Sequence, residues 1–90
     1  MTPEQRELAR HALGLPNARN QSYRNHFVTG EGSSDFEHWC AMAAAGLARR
    51  RAGCALTGGD ELFWLTFKGA TDALEPGEQL DPEDFIMVSA

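Results

Sequence analysis

A chain of 90 residues, of which 42% are hydrophobic, has room for one domain with a modest core and little room for an elaborate active site. Its formal net charge is -5 and is unevenly distributed: residues 1–53 hold seven arginines and five acids, whereas residues 54–90 hold one lysine and eight acids. Such a chain does not attract a phosphate backbone as a whole.

Localisation and cofactor signals are sparse. The sequence contains no run of about 18 apolar residues, no charged-then-apolar leader and no lipidation motif, which predicts a cytoplasmic protein without a membrane partner. Cys40 and Cys54 fit a reducing compartment, as buried thiols. Together with His26 and His38 they match no CxxC or HxxxH spacing, so neither a metal nor another cofactor is predicted.

The first predicted element is a helix over residues 3–13. Thr2 is a hydroxyl N-cap, a proline follows it, and Gln5 stands three residues after the cap, which is a capping-box pattern. Gly14 and Pro16 end this helix.

Residues 14–33 are predicted to be mostly loop. Within them, His26–Thr29 predicts a brief strand that pairs beside a later hairpin, with Phe27 or Val28 pointing inward. The loop also carries four candidate binding residues that offer hydrogen-bond donors and an aromatic face to a protein or a phosphate: Tyr23, Arg24, Asn25 and His26. The alternative stays open that Asn25 and His26 only satisfy nearby backbone groups.

A central helix is predicted from Ser34 to Arg50, with Ser34 and Glu37 as its capping box. Its core stripe is Phe36, Trp39, Cys40, Ala43 and Leu47. The opposite face carries Asp35, His38, Ala41, Met42, Ala45 and Ala48. Reading of bases needs long donors on the helix, so this face does not predict base recognition. Its small residues suit close approach of another helix, which makes a homodimer an open alternative.

Arg49, Arg50 and Arg51 form the only dense basic run and are predicted at the C-terminus of the central helix. Cations there interact favourably with the helix dipole. Three consecutive side chains point in several directions, however, so at least one is a candidate contact for an acidic partner or a phosphate. Both interpretations stay open.

A hairpin is predicted next, with strands Cys54–Thr57 and Leu62–Thr66 joined by a turn with two glycines. Alternation in the second strand makes both of its faces apolar, so both are predicted to be covered. Asp60 and Glu61 at the turn would repel a DNA groove. A short helix over residues 68–74 follows.

The tail, residues 76–90, is acidic and contains prolines that prevent a continued helix. Its apolar end, Phe85–Val88, is expected to dock on the domain, with capture by a partner as the alternative.

The region from the central helix to the short helix resembles the wing of winged-helix proteins of the MarR and PadR kind. The similarity covers about 30 residues and rests on Ala45, Gly46, Leu47, Arg49, Arg50, Leu56, Gly58, Gly59, Asp60, Phe63, Leu65, Thr66, Gly69 and Leu74. The resemblance implies a fold that commonly binds DNA through basic wing residues. The acidic turn of this chain departs from that pattern, and residues 14–33 offer no second helix for a helix-turn-helix.

The chain also resembles small uncharacterised proteins of tailed phages and prophages, which implies origin and not mechanism. The residues that carry this resemblance are Leu8–Leu15, Tyr23–Gly30 and the turn Leu56–Asp60.

Together these observations predict an α+β fold: a winged-helix-like domain over residues 1–75, ordered α-(short β)-α-β-β-α, with a tail over residues 76–90. The predicted function is a non-enzymatic interaction module that binds a phage or host protein, as a host-defence inhibitor or an assembly accessory, because no catalytic set of residues can be assembled. The alternative is a DNA-binding regulator that uses the arginines Arg6, Arg10, Arg19, Arg24 and Arg49–Arg51.

Overall fold

The computed structural model describes residues 1–53 and 58–89. Within these residues, three α-helices, three strands and a C-terminal 3₁₀ segment follow one another along the chain. They are α1 (Pro3–Leu13), β1 (Phe27–Thr29), α2 (Ser34–Ala44), β2 (Ala48–Arg51), β3 (Glu61–Leu65), α3 (Phe67–Ala73) and the 3₁₀ segment (Pro82–Ser89). The predicted α+β class is therefore confirmed.

The strands form one antiparallel sheet in the order β1-β3-β2. Phe63 of β3 lies between Phe27 of β1 and Arg50 of β2. Because side chains alternate along a strand, this row defines one face of the sheet, and the rows on either side of it define the other. The predicted brief strand in the first loop thus exists and pairs with β3, and it is Phe27 that points inward.

The core lies between the helices and the sheet face that carries Phe63. The fully buried Trp39 ring of α2 contacts Phe27 and Phe63, with ring centroids 5.2 and 5.7 Å apart. Close packing continues at α3, because a Cβ atom on Gly69 would lie 1.9 Å from the carbonyl oxygen of Leu47. Only glycine fits at this position.

Helix α1 begins and ends as its sequence predicts. The Thr2 side chain accepts a hydrogen bond from the Gln5 N–H, and the Gln5 side chain accepts one from the Thr2 N–H, at 3.1 and 3.0 Å. Gly14 ends the helix in the left-handed region, at φ 82°. These are interactions between near neighbours in the sequence, which is why the bounds could be predicted.

Helix α2 ends six residues earlier than predicted. Gly46 adopts φ +79°, a left-handed conformation that closes the helix, and the three arginines continue as strand β2 paired with β3. The placement of Arg49–Arg51 at a helix C-terminus was therefore wrong. The N-cap of α2 is Ser33, so the predicted capping box of Ser34 with Glu37 was wrong. The predicted strand Cys54–Thr57 lies outside the described residues.

Met42 was also predicted on the wrong side of α2. It is fully buried, as is Trp39. The two residues are three apart on a helix and so share a face, which removes Met42 from any surface offered to a partner helix.

A buried ion pair ties α1 to the segment after α3. Arg10 is 8% exposed; it donates to the carbonyl oxygen of Ala73 at 3.0 Å and binds both carboxylate oxygens of Glu78. The hydrogen bonds that Arg10 donates to the Glu78 carboxylate lower the pKa of Glu78 and raise the pKa of Arg10. Nearby, the Ser22 hydroxyl accepts a hydrogen bond from the Asp81 N–H at 2.8 Å.

Candidate functional site

Two cross-strand rows make up the sheet face opposite the core, which we call the outer face. In one row Leu62 lies between Val28 and Arg51, and in the other Trp64 is paired with Arg49. Val28 is 44% exposed, both arginines are exposed, and Leu62 and Trp64 are half-buried. Both faces of β3 were predicted to be covered, but its outer face is only partly covered. Apolar side chains lie beside cations on this accessible surface.

Arg49 and Arg51 differ from the arginine between them. Their guanidinium groups form no salt bridge or hydrogen bond within residues 1–53 and 58–89. Arg50 instead points to the core side, where it binds both oxygens of Glu61 at 2.6 Å and donates to Cys40 Sγ at 3.3 Å. Its guanidinium also lies over the rings of Phe36 and Phe63.

The alternation of β2 explains this division. Arg50 shares the core-side row with Phe63, so it is held by Glu61, whose hydrogen bonds raise the Arg50 pKa. Arg49 and Arg51 necessarily point the other way. Of the three predicted binding arginines, Arg50 therefore serves the fold, and Arg49 and Arg51 are presented to solvent.

A groove of about 740 Å³ continues the outer face beyond the end of β3. Its apolar lining includes Trp64, Phe67 and Phe85, and its cations are Arg49 and Lys68. Phe67 is 47% exposed. The groove thus combines accessible aromatic rings with two cations that are in no salt bridge among the described residues.

The first predicted cluster, Tyr23–His26, spreads over two places. Tyr23 is 60% exposed, and its ring covers Gly14, where a Cβ atom would lie 2.2 Å from Cε1 of the ring. Arg24 donates to the carbonyl oxygen of His11 through Nε and Nη2, at 3.2 and 2.7 Å. These two residues therefore cover the C-terminal end of α1.

Asn25 and His26 continue the chain into β1. The Asn25 side chain donates to the Leu65 carbonyl oxygen at 3.0 Å and accepts from the Leu65 N–H at 2.8 Å, so contact between this segment and β3 continues two residues beyond the Phe27–Phe63 pair. The Asn25 side chain thus pairs with backbone groups, and it also lines the groove at the end of the outer face. His26 lines a shallow pocket of about 300 Å³ with His11 and Arg24.

The structure brings only part of the predicted site together. Asn25 and Arg49 line the same groove, whereas Arg24 and His26 line a separate pocket. Trp64 and Lys68 were not predicted as site residues. The alternation of β3 was visible in the sequence, but the face that Trp64 shares with Arg49 depends on a register with β2 that local patterns do not give.

Within the described residues, no set of three or more histidine, cysteine or carboxylate side chains is placed to hold a metal ion. The same part of the chain contains no helix with the length and apolar character needed to cross a membrane.

Comparison with protein-family models, with curated proteins and with solved structures found no match to this chain.

Proposed function

We propose that this chain is a non-enzymatic protein-interaction module on a winged-helix-like scaffold, and that the outer face of its sheet is the contact surface. The observation that carries the proposal is the pairing of cations with apolar residues on that face. Arg49 lies beside Trp64, and Arg51 lies beside Leu62. Tryptophan and arginine are the residue types most enriched among the energetically dominant contacts of protein interfaces.

The scaffold part of the proposal rests on element order and sheet pairing. A strand that follows α1 pairs with the last strand of the sheet, and two helices lie before β2 and β3. The likeness to a winged helix is partial, since the described residues 14–33 contain turns and β1 but no helix. A helix-turn-helix for DNA is therefore not part of the proposal. A phage or host protein remains the predicted partner.

The alternative, a DNA-binding regulator, is less well supported because several of its arginines have other roles. Arg10 is buried with Glu78, Arg24 binds the end of α1, and Arg50 is paired with Glu61. Acidic side chains also dominate the second half of the chain. A duplex would meet few available cations and a repulsive surface.

A site-specific photo-crosslinker tests the proposal. Benzoylphenylalanine at Val28 places the probe on the outer face, and the same residue at Glu7, which is exposed on α1, is the matched control. In an extract of cells that carry the gene, we expect a discrete cross-linked protein from position 28, lost when Arg49 and Arg51 are both changed to glutamate, and none from position 7. A position-28 product that is indifferent to these charge reversals would contradict the proposal.

Labelled duplex DNA provides the second arm. At about 50 mM salt, where contacts with phosphates are strongest, we expect no retardation of the duplex. If the duplex is retarded, and if this retardation is lost when Arg49 and Arg51 are changed to glutamine, the result would contradict the interaction module and support the DNA-binding alternative.

A further inference from the structure

We propose that the groove at the end of the outer face binds an acidic peptide segment of the partner, with a large apolar side chain against Trp64 and Phe67 and carboxylates on Arg49 and Lys68. This inference rests on the proposed function and adds the chemistry of the partner. The groove lining combines cations with aromatic rings, which suits a segment that is both acidic and apolar.

Charge complementarity is the first argument. Arg49 and Lys68 are both exposed, both line the groove, and neither is in a salt bridge within the described residues. The chain as a whole carries a net charge of -5, so an acidic segment is repelled by most of the surface and attracted here. Such a distribution favours one orientation of a bound acidic segment over others.

One wall of the groove is already formed by a segment of this chemistry from the chain itself. Asp84 and Phe85, from the acidic 3₁₀ segment, line it. Phe85 is 8% exposed and meets Phe67 edge-on, with ring centroids 6.0 Å apart. A second aromatic side chain on the exposed side of Phe67 and beside Trp64 would extend an existing aromatic contact.

Asp84 does not neutralise the cations of the groove. Its pKa is raised, first by burial and then by the charges of Asp81 and Glu83. A carboxylate held by Arg49 or Lys68 would have its pKa lowered. The two cations therefore remain available to carboxylates that come from outside the chain.

A peptide fits this groove better than a single-stranded nucleic acid. Stacking on Trp64 and Phe67 with contacts to Arg49 and Lys68 would suit either ligand. A nucleic acid, however, carries a phosphate on every unit, and Asp84 stands in the same groove with Glu83 beside it. A peptide can place uncharged residues there, so the observed mixture of charges favours the peptide.

The test measures binding of three labelled probes to the full chain. The fluorescence anisotropy of each probe is recorded while the protein concentration is raised to about 1 mM. The first probe is an eight-residue peptide that alternates Glu-Asp pairs with phenylalanine. The second replaces every carboxylate by the corresponding amide. The third is an oligothymidylate of about twelve nucleotides. We expect the acidic peptide to bind, and the amide peptide to bind at least about tenfold more weakly.

Variants locate the site and remove folding as an explanation. Arg49→Gln and Lys68→Gln should each weaken binding of the acidic peptide about threefold to fivefold, whereas Arg19→Gln, a change at an exposed arginine that does not line the groove, should not. Asp84→Asn should strengthen binding, because it removes a like charge from the groove. A variant that merely loosened the fold would not give this gain.

Three results overturn the inference: equal binding of the acidic and amide peptides, preferential binding of the oligothymidylate, or no binding of the acidic peptide. If the peptide fails while the Val28 cross-link still depends on Arg49 and Arg51, the interaction module stands and its partner is not acidic at this groove. If both fail, the proposed function fails with the inference.

Discussion

Arginine is used in opposite ways in two regions of this molecule. In the interior, Arg10 is 8% exposed and joins α1 to Glu78 and to the end of α3. On the outer face, Arg49 and Arg51 are exposed and unpaired within the described residues. Neighbouring acids alone do not make the difference, since the second half of the chain is rich in them. What separates the regions is whether the backbone brings a carboxylate to the guanidinium.

This comparison predicts that the interior arginine matters for stability and the outer ones do not. Arg10→Met keeps the volume of the side chain but leaves the Glu78 carboxylate buried without its cation, which should cost about 3 to 5 kcal/mol out of a total of about 5 to 15 kcal/mol. Urea unfolding measures this loss. Arg49→Met, on the outer face, should change the free energy of unfolding by less than about 0.5 kcal/mol.

A double variant separates a buried charge from lost packing. If the cost of Arg10→Met comes from the stranded carboxylate, adding Glu78→Met should restore much of the stability. If the double variant is as unstable as the single one, the ion pair is not what holds this region together.

Acid should remove part of the same stabilisation. Hydrogen bonds with Arg10 lower the pKa of Glu78 in the folded chain, so the unfolded chain binds a proton at this site first as the pH falls. The contribution is present above the ordinary glutamate pKa of about 4.3 and is lost as the pH falls through the lower folded value. Unfolding free energies measured from pH 6 to about pH 2 should show this loss in the wild type and a smaller one in Glu78→Gln. Identical slopes would contradict it.

Local sequence patterns predicted the ends of helix α1 but not the end of helix α2. The caps of α1 involve Thr2, Gln5 and Gly14, all next to the helix, and both ends were predicted correctly. The end of α2 was not, because the Ala-Arg run has high helix propensity. Pairing of Ala48–Arg51 with β3, together with the left-handed Gly46, overrides that preference.

The roles of the arginines could not be predicted from local patterns either, because they depend on contacts between distant parts of the chain. The partner of Arg10 stands 68 residues away, so no spacing rule finds it. Once the register of β2 and β3 is known, however, the sequence alone gives the rest: Arg50 falls in the row of Phe63, and Arg49 in the row of Trp64. Strand register was the missing information, and helix propensity had assigned these residues to the wrong element.

Arg50 offers an intermediate case within β2. Arg50→Met should lower the free energy of unfolding by a small but measurable amount, because it removes the contact with both carboxylate oxygens of Glu61 and the contacts with two aromatic rings. Arg51→Met, one residue further along the strand, is the matched control and should be nearly silent. Thermal or urea unfolding at low salt measures the difference.

High salt should reduce the ion-pair part of the Arg50 effect, since the Arg50 and Glu61 side chains are 44% and 22% exposed. A cost that is equal for Arg50→Met and Arg51→Met would mean that the two faces of β2 do not differ in their contribution to the fold.

The smallest expected effect concerns Asp84, at the edge of the outer face. Burial and the charges of Asp81 and Glu83 raise its pKa in the folded chain, so ionisation at neutral pH disfavours the folded state. Asp84→Asn should therefore stabilise the protein at pH 7, by less than about 0.5 kcal/mol because solvent screens charges on this exposed residue, and the gain should vanish well below the ordinary aspartate pKa of about 3.9, where both states are protonated. This sign is opposite to that of Glu78, because no lysine or arginine among the described residues forms a salt bridge with Asp84.

An NMR titration of the Asp84 carboxyl gives the sharper measurement, since the stability change is small. Its pKa should lie above the ordinary value and should move down in Glu83→Gln, which removes one of the charges that raise it. A pKa below the ordinary value would place Asp84 in contact with Arg49 or Lys68. The cations of the groove would then already be occupied from within the chain, and the outer face would resemble the interior instead of contrasting with it.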